Sequence, residues 1–163
     1  MEQTIDGISM DAFSHPVTIG ELYRGEMAKL TTEHGNYLVL RPAMAPPQFL
    51  KVNPAHWHKG ENPTVPLAIL QLNWIEGATV LYIGKAEPEE GLRRRVTDLL
   101  KFGHGEKRAH WGGRFIWQLG NSDNLLVRWR PCAPYQAEQL ETDMIKAFKA
   151  VHGGRRPFAN LSK

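Results

Sequence analysis

One stretch of this sequence places a charge where an apolar side chain is expected, and a second places one at the edge of its apolar stripe, a milder case. Over Tyr135–Val151, the residues Leu140, Met144, Ile145, Phe148 and Val151 recur at helical spacing and define one apolar arc. Glu141 falls inside that arc. A carboxylate rarely lies on a core face unless it is paired or holds a metal. The alternative is a rim position with the stem snorkelling out to water. Over Glu90–Phe102, the stripe is Leu92, Val96, Leu99 and Leu100, and Arg95 lies between Leu99 and Phe102. A guanidinium held at a core edge can aim its fork at a phosphate. It can equally be a structural ion pair, with Glu141 as a candidate partner. Arg93 lies along the other edge of the stripe, and Arg94 points away, as a surface or phosphate-contacting charge does.

Tyr37 and Tyr82 each lie in a stretch that reads as a strand, where tyrosine is usually a packing residue. Gly84, two residues after Tyr82, implies close approach of the backbone to something. His110-Trp111-Gly112-Gly113-Arg114 joins glycines that admit a phosphate to an arginine at a helix start. The same five residues also read as a capping turn with a packed Trp111. His56 and His58 have the spacing of strand metal ligands, with His104 and His110 downstream, but nothing nearby completes a set.

The elements that must position these residues form a mixed pattern. Residues 1–16 read as a flexible arm, and Thr18–Thr32 as a helix stopped by His34-Gly35. Asn36–Arg41 reads as a strand closed by Pro42, and the proline-dense residues 42–66 as loop. Leu67–Ile75 fits a short helix or a strand, and Thr79–Ile83 is a second strand. The Glu90–Phe102 helix ends at Gly103 and Gly105, Gly113–Leu119 is one further short helix, and Leu125–Arg130 is a third strand. The Tyr135–Val151 helix ends at Gly153-Gly154. This order predicts an α+β fold, a small and mainly antiparallel sheet flanked by helices.

Composition narrows the function class. The chain has 163 residues, 42% of them hydrophobic and 23% charged, which suits one globular domain and excludes general disorder. The longest run without a formal charge, Asn62–Ile75, has 14 residues and two prolines, too short to span a bilayer, so no membrane partner is expected. The acidic N-terminal residues lack the layout of a signal peptide. A single cysteine, Cys132, excludes an internal disulfide and makes a reducing, cytoplasmic setting the expectation. Residues 1–81 hold 5 Lys/Arg and 8 Asp/Glu, whereas residues 82–163 hold 15 and 9, so the positive charge sits in the second half. An anionic partner belongs there, and nucleic acid is the obvious one. The bland reading is a solvated basic surface.

Together these residues resemble the GIY-YIG nuclease family. Val80-Leu81-Tyr82-Ile83-Gly84-Lys85-Ala86 carries the Tyr-Ile-Gly half of the signature. In Leu92-Arg93-Arg94-Arg95-Val96, Arg95 takes the place of the family's catalytic arginine. In Leu140-Glu141-Thr142-Asp143-Met144-Ile145-Lys146, Glu141 matches the metal-binding glutamate, and in Pro157-Phe158-Ala159-Asn160, Asn160 matches the terminal asparagine. The matches run in order from residue 80 to residue 160. Gly35-Asn36-Tyr37 is the better candidate for the first half, against Ala68-Ile69-Leu70, which has no tyrosine. It leaves 44 residues between Tyr37 and Tyr82, where the family has a short turn. Long surface insertions are thermodynamically cheap. One departure is Leu99, where many members carry a histidine or tyrosine one helical turn after the arginine; His104 or His110 could reach the site instead.

The resemblance implies a single GIY-YIG-like domain over residues 1–163, with a central three-stranded sheet and an insertion at 42–78 between the first two strands. It implies divalent-metal-dependent hydrolysis of DNA phosphodiesters, branched or damaged DNA included. Glu141 would hold one Mg²⁺ or Mn²⁺, and Tyr37 or Tyr82 would orient or deprotonate the attacking water. Arg95 would stabilise the pentavalent phosphate, and Asn160 would position its neighbours. Lys85, Arg93, Arg94, Lys101, Lys107, Arg108, His110 and Arg114 are the expected nucleic-acid contacts. Two rival classes are a binding module that kept the fold and lost cleavage, and a protein–protein adaptor using the proline-rich stretch.

Overall fold

The computed structural model describes residues 3–163. It is an α+β fold with two antiparallel sheets and several helices. The smaller sheet is a hairpin of β1 (Thr4–Ile5) and β2 (Ile8–Ser9). The larger has four strands, β3 (Val17–Thr18), β4 (Gly35–Leu40), β5 (Val80–Ala86) and β6 (Leu126–Pro131), in the spatial order β3-β6-β4-β5. All of its pairings are antiparallel, and the two-residue β3 makes it one strand wider than the three expected.

β4 is central and buried along its whole length. Its side chains alternate between two cores, as a pleated strand demands. Tyr37 and Val39 face a core that contains Leu92, Val96, Leu99 and Leu100 of α3 (Gly91–Gly103). Leu38 and Leu40 face the other core, with Met144, Ile145 and Phe148 of α4 (Ala137–Val151). The two helices whose periodicity is clearest in the sequence therefore cover opposite faces of the sheet. Besides α3 and α4, the structure has a short α1 (Ile19–Glu21) and α2 (Leu67–Asn73), and a 3-10 helix at Trp111–Gln118.

Two expectations are corrected. Residues 4–16 are not a loose arm: the Asp6-Gly7 pair, both at positive φ, makes the hairpin turn between β1 and β2. Ile8, Met10 and Phe13 then pack into the α4-side core. The helix expected over Thr18–Thr32 starts correctly, with a capping box between Thr18 and Glu21, but runs regularly only through Glu21. It continues as one wide turn, Leu22–Glu26, broken by Gly25 at φ 152°, and one 3-10 turn, Met27–Lys29.

The stretch between β4 and β5 holds α2 and is otherwise irregular up to residue 79. Two buried amides fasten it. Asn53 donates to the carbonyls of Pro63 and Arg114, and Gln118 bonds both backbone groups of Val65. Among the described residues no helix is long and apolar enough to cross a membrane.

Candidate active site

The β4–β5 register builds the floor of a pocket. Tyr37 stands opposite Gly84 and Val39 opposite Tyr82, so Tyr37, Tyr82 and Gly84 share one face. A Cβ at Gly84 would land on the Tyr37 ring, so this glycine is what lets the ring lie flat across β5. The rings of Tyr37 and Tyr82 then sit with centroids 5.9 Å apart.

A cavity of about 190 Å³ opens over this floor. It is lined by Tyr37, Tyr82 and Lys85, by Glu87 and Glu90, and by Arg95 and Glu141. Five of the residues chosen from sequence thus meet at one place, although α3 and α4 lie on opposite faces of the sheet. β5 lies at the sheet's edge, which lets residues from both faces meet beside it.

His110, completely enclosed, completes the tyrosine side. Its Nε2 is 2.7 Å from the Tyr37 hydroxyl, and its ring stands edge-on to both tyrosines. Burial, and next the charge of Arg95, lower its pKa from 6.5 to about 3, so the ring is neutral. Burial pushes Tyr37 well above the ordinary tyrosine value, with Tyr82 adding to the rise and Arg95 opposing it. Tyr82 is raised by burial too, again against Arg95. All three rings are uncharged near neutral pH. His110 Nδ1 has no partner among the described residues. It packs close to Gly113, where Leu99 also arrives.

Arg95 is held loosely. Its Nε lies 4.0 Å from Glu90, and its Nη1 lies 3.5 Å from the Ala109 carbonyl, so most of its fork remains unspent. The alternative of a structural Arg95–Glu141 ion pair is not what forms. Glu141, buried at 9% exposure on α4, instead accepts from the Lys163 ammonium at 2.8 Å. Lys163 also approaches Glu138 at 3.9 Å and donates to Thr142. Lys85 bridges Glu87 and Glu138 at 3.3 and 3.5 Å. Burial acts to lower the Lys85 pKa, but these carboxylates together with Glu141 outweigh it, and the net direction is upward.

Asn160 does not line the cavity. Its side chain takes the Ile83 N–H and gives to the Ile83 carbonyl, both at 2.9 Å. Beside it, the Ala159 N–H bonds the Leu81 carbonyl. Pro157–Asn160 therefore seals the outer edge of β5, and Asn160 holds the strand that carries Tyr82.

The residues expected to contact nucleic acid divide into free and committed. Arg94, Lys101 and Lys107 make no side-chain bond among the described residues. Arg93 is spent on the carbonyls of Leu30 and Ala28, and Arg108 on Asp98 at 2.9 Å. Arg114 lies over the Trp111 ring at 4.4 Å and donates to the Trp111 carbonyl. Sequence reading misses Lys163, Glu87 and Glu90. None of these three departs from an ordinary exposed pattern along the chain, so no signal marks them.

One carboxylate with an unspent oxygen, in a cleft open to solvent, fits a hard cation that keeps its waters. Among the described residues, no three His, Cys, Asp or Glu side chains cluster as a metal set, and His56 and His58 are no exception. A cation here would rest on Glu141, with water and substrate oxygens for its remaining ligands. Compared with family models, curated proteins and solved structures, the chain matches nothing.

Proposed function

We propose that the chain is a GIY-YIG-type nuclease, hydrolysing DNA phosphodiesters with a divalent metal. The observation that carries this reading is the single cleft in which Tyr37, Tyr82 and Arg95 meet Glu141. The Tyr37–Gly84 contact supports Gly35-Asn36-Tyr37 as the first half of the signature, since the glycine of the second half is needed by the tyrosine of the first.

A scissile phosphate enters beside Arg95, whose free N–H groups suit the equatorial oxygens of a phosphoryl group under attack. Tyr37 orients the attacking water. A neutral phenol with a raised pKa cannot take a proton and keep its own, so it must pass one on. The acceptor at hand is His110 Nε2, which receives the Tyr37 proton as Tyr37 receives one from the water. Burial first and Arg95 second hold the His110 pKa down before substrate arrives, and a phosphate against Arg95 offsets the second of these when the proton has to move. The water oxygen bonds to phosphorus, and the bond from phosphorus to the leaving sugar oxygen breaks. Mg²⁺ or Mn²⁺ at Glu141 would supply charge stabilisation at that leaving oxygen. His110, delivered by a loop beside Leu99, takes over the duty of the histidine or tyrosine that other members carry on the helix.

The Lys163–Glu141 contact favours a second reading, a binding module in which an ammonium has replaced the metal. Wild type and Glu141→Gln, incubated with duplex, branched and single-stranded DNA plus Mg²⁺ or Mn²⁺, separate the two. A nuclease cuts at least one substrate, and Glu141→Gln cuts none while still binding DNA. If wild type binds but cuts nothing, or if Glu141→Gln cuts as well as wild type, the nuclease reading fails.

A further inference from the structure

At the C-terminal end of α4 lies a second concavity of about 250 Å³. Its lining is Asn73, Lys149, Gly154, Arg155, Arg156 and Lys163, four basic side chains and no Asp or Glu. Lys149 alone would be an ordinary complement to the C-terminal end of α4. Arg155 and Arg156 are not explained in that way, because they lie beyond the Gly153-Gly154 turn that ends the helix. Among the described residues, Lys149, Arg155 and Arg156 have no ion pair. Arg155 gives one N–H to the Leu72 carbonyl and keeps the rest of its fork. Arg156 and Lys149 make no side-chain hydrogen bond at all among the described residues. Lys149, Arg155 and Arg156 are like charges around one hollow with no carboxylate partner among the described residues, so they repel one another, and an anion placed between them removes that cost.

The hollow is continuous with the candidate active site through one side chain. Lys163 lines it and at the same time contacts Glu141 at 2.8 Å. We propose that this hollow is a second phosphate-holding site, for a backbone phosphate of the DNA whose scissile bond lies at Arg95. The inference rests on the nuclease reading and deepens it. It places part of the DNA path over the end of α4, in addition to the α3 side where the sequence alone puts it. Arginine forks suit phosphate oxygens, and a basic hollow holds backbone without reading bases.

The test is binding of duplex DNA across a salt series, in the Glu141→Gln background so that nothing is cut. Lys149→Ala/Arg156→Ala removes two cations that bond to nothing else described, so the fold is not at risk; circular dichroism checks it. Removing one cation–phosphate pair should flatten the dependence of log K on log salt by about 0.9. The double variant should therefore show a slope shallower by about 1 to 2, with affinity down roughly tenfold near physiological salt. Arg156→Glu should weaken binding further. Inorganic phosphate, added at constant ionic strength, should compete more weakly in the double variant than in its parent if the hollow holds phosphate. An unchanged slope and affinity in both variants, while wild type still cuts DNA, overturns the second site and leaves the nuclease reading intact. If wild type neither binds nor cuts any DNA, both fall together.

Discussion

Asp6 and Glu141 are equally sheltered carboxylates, with side chains 8% and 12% exposed, and both lie against α4 or its end. Their surroundings differ in kind. Asp6 takes the backbone N–H groups of Thr79 and Val80 on one oxygen, and meets His152 with the other. Glu141 has Lys163, a side chain on the surface, and nothing else among the described residues. A carboxylate offers about four lone-pair positions, so Asp6 is nearly used up and Glu141 is mostly not. Burial of a charge therefore does not by itself mark a functional site. What separates Glu141 from Asp6 is acceptor capacity left open toward a cleft.

The comparison is broken most sharply by substitution at each acid. Glu141→Gln should cut the rate of Mg²⁺-dependent DNA cleavage by about 1000-fold, the scale of removing a main charge-stabilising group, with no drop in stability. Asp6→Ala should do the reverse. Two backbone N–H groups lose their acceptor, so urea unfolding should show a loss of about 2–4 kcal/mol, while the rate per folded molecule holds within twofold. A catalytic defect in folded Asp6→Ala would erase the distinction.

Smaller effects follow on the tyrosine side. Gly84→Ala pushes a methyl into the Tyr37 ring, and should cost about 1–3 kcal/mol together with most of the activity. The linkage at His110 has a definite sign. Its pKa is about 3 when folded against about 6.5 unfolded, so acid drives a proton onto the unfolded chain first. The stability contributed by the neutral ring is whole above about pH 6.5 and is lost as pH falls toward 3. The stability advantage of wild type over His110→Leu should therefore shrink by about 1.4 kcal/mol per pH unit between pH 6 and 4, read as the difference in urea midpoints. The smallest change belongs to Lys163→Ala. An exposed partner contributes about 1 kcal/mol or less, so melting should barely shift, while Mn²⁺ should bind more tightly once its competitor is gone.

The same contrast shows what can be read along the chain. Glu141 is legible because helical periodicity exposes a charge that breaks it, whereas periodicity leaves Arg93 and Arg95 on the two edges of one stripe and only the resemblance chooses between them. Tyr37 and Tyr82 are legible as strand residues, and their convergence depends on a register that no local pattern states. The Asp6-Gly7 turn is legible too: Ile5-Asp6-Gly7-Ile8 is a strong hairpin signal, outweighed only by the expectation that a chain end is loose. Gly25 carries a similar warning inside the Thr18–Thr32 pattern, where apolar spacing alone predicts an unbroken helix. Lys163 has no such signal. Its partner is 22 positions away, and an exposed lysine has no pattern to violate.

The most direct measurement is a crystal soaked in Mn²⁺, with the metal located by its anomalous signal. The expected result is one peak about 2.1 Å from a Glu141 oxygen, on the side facing Tyr82 and Arg95, with the Lys163 ammonium displaced. Glu141 still bound to Lys163 at saturating Mn²⁺, with no peak in the cleft, would contradict a metal-dependent site there.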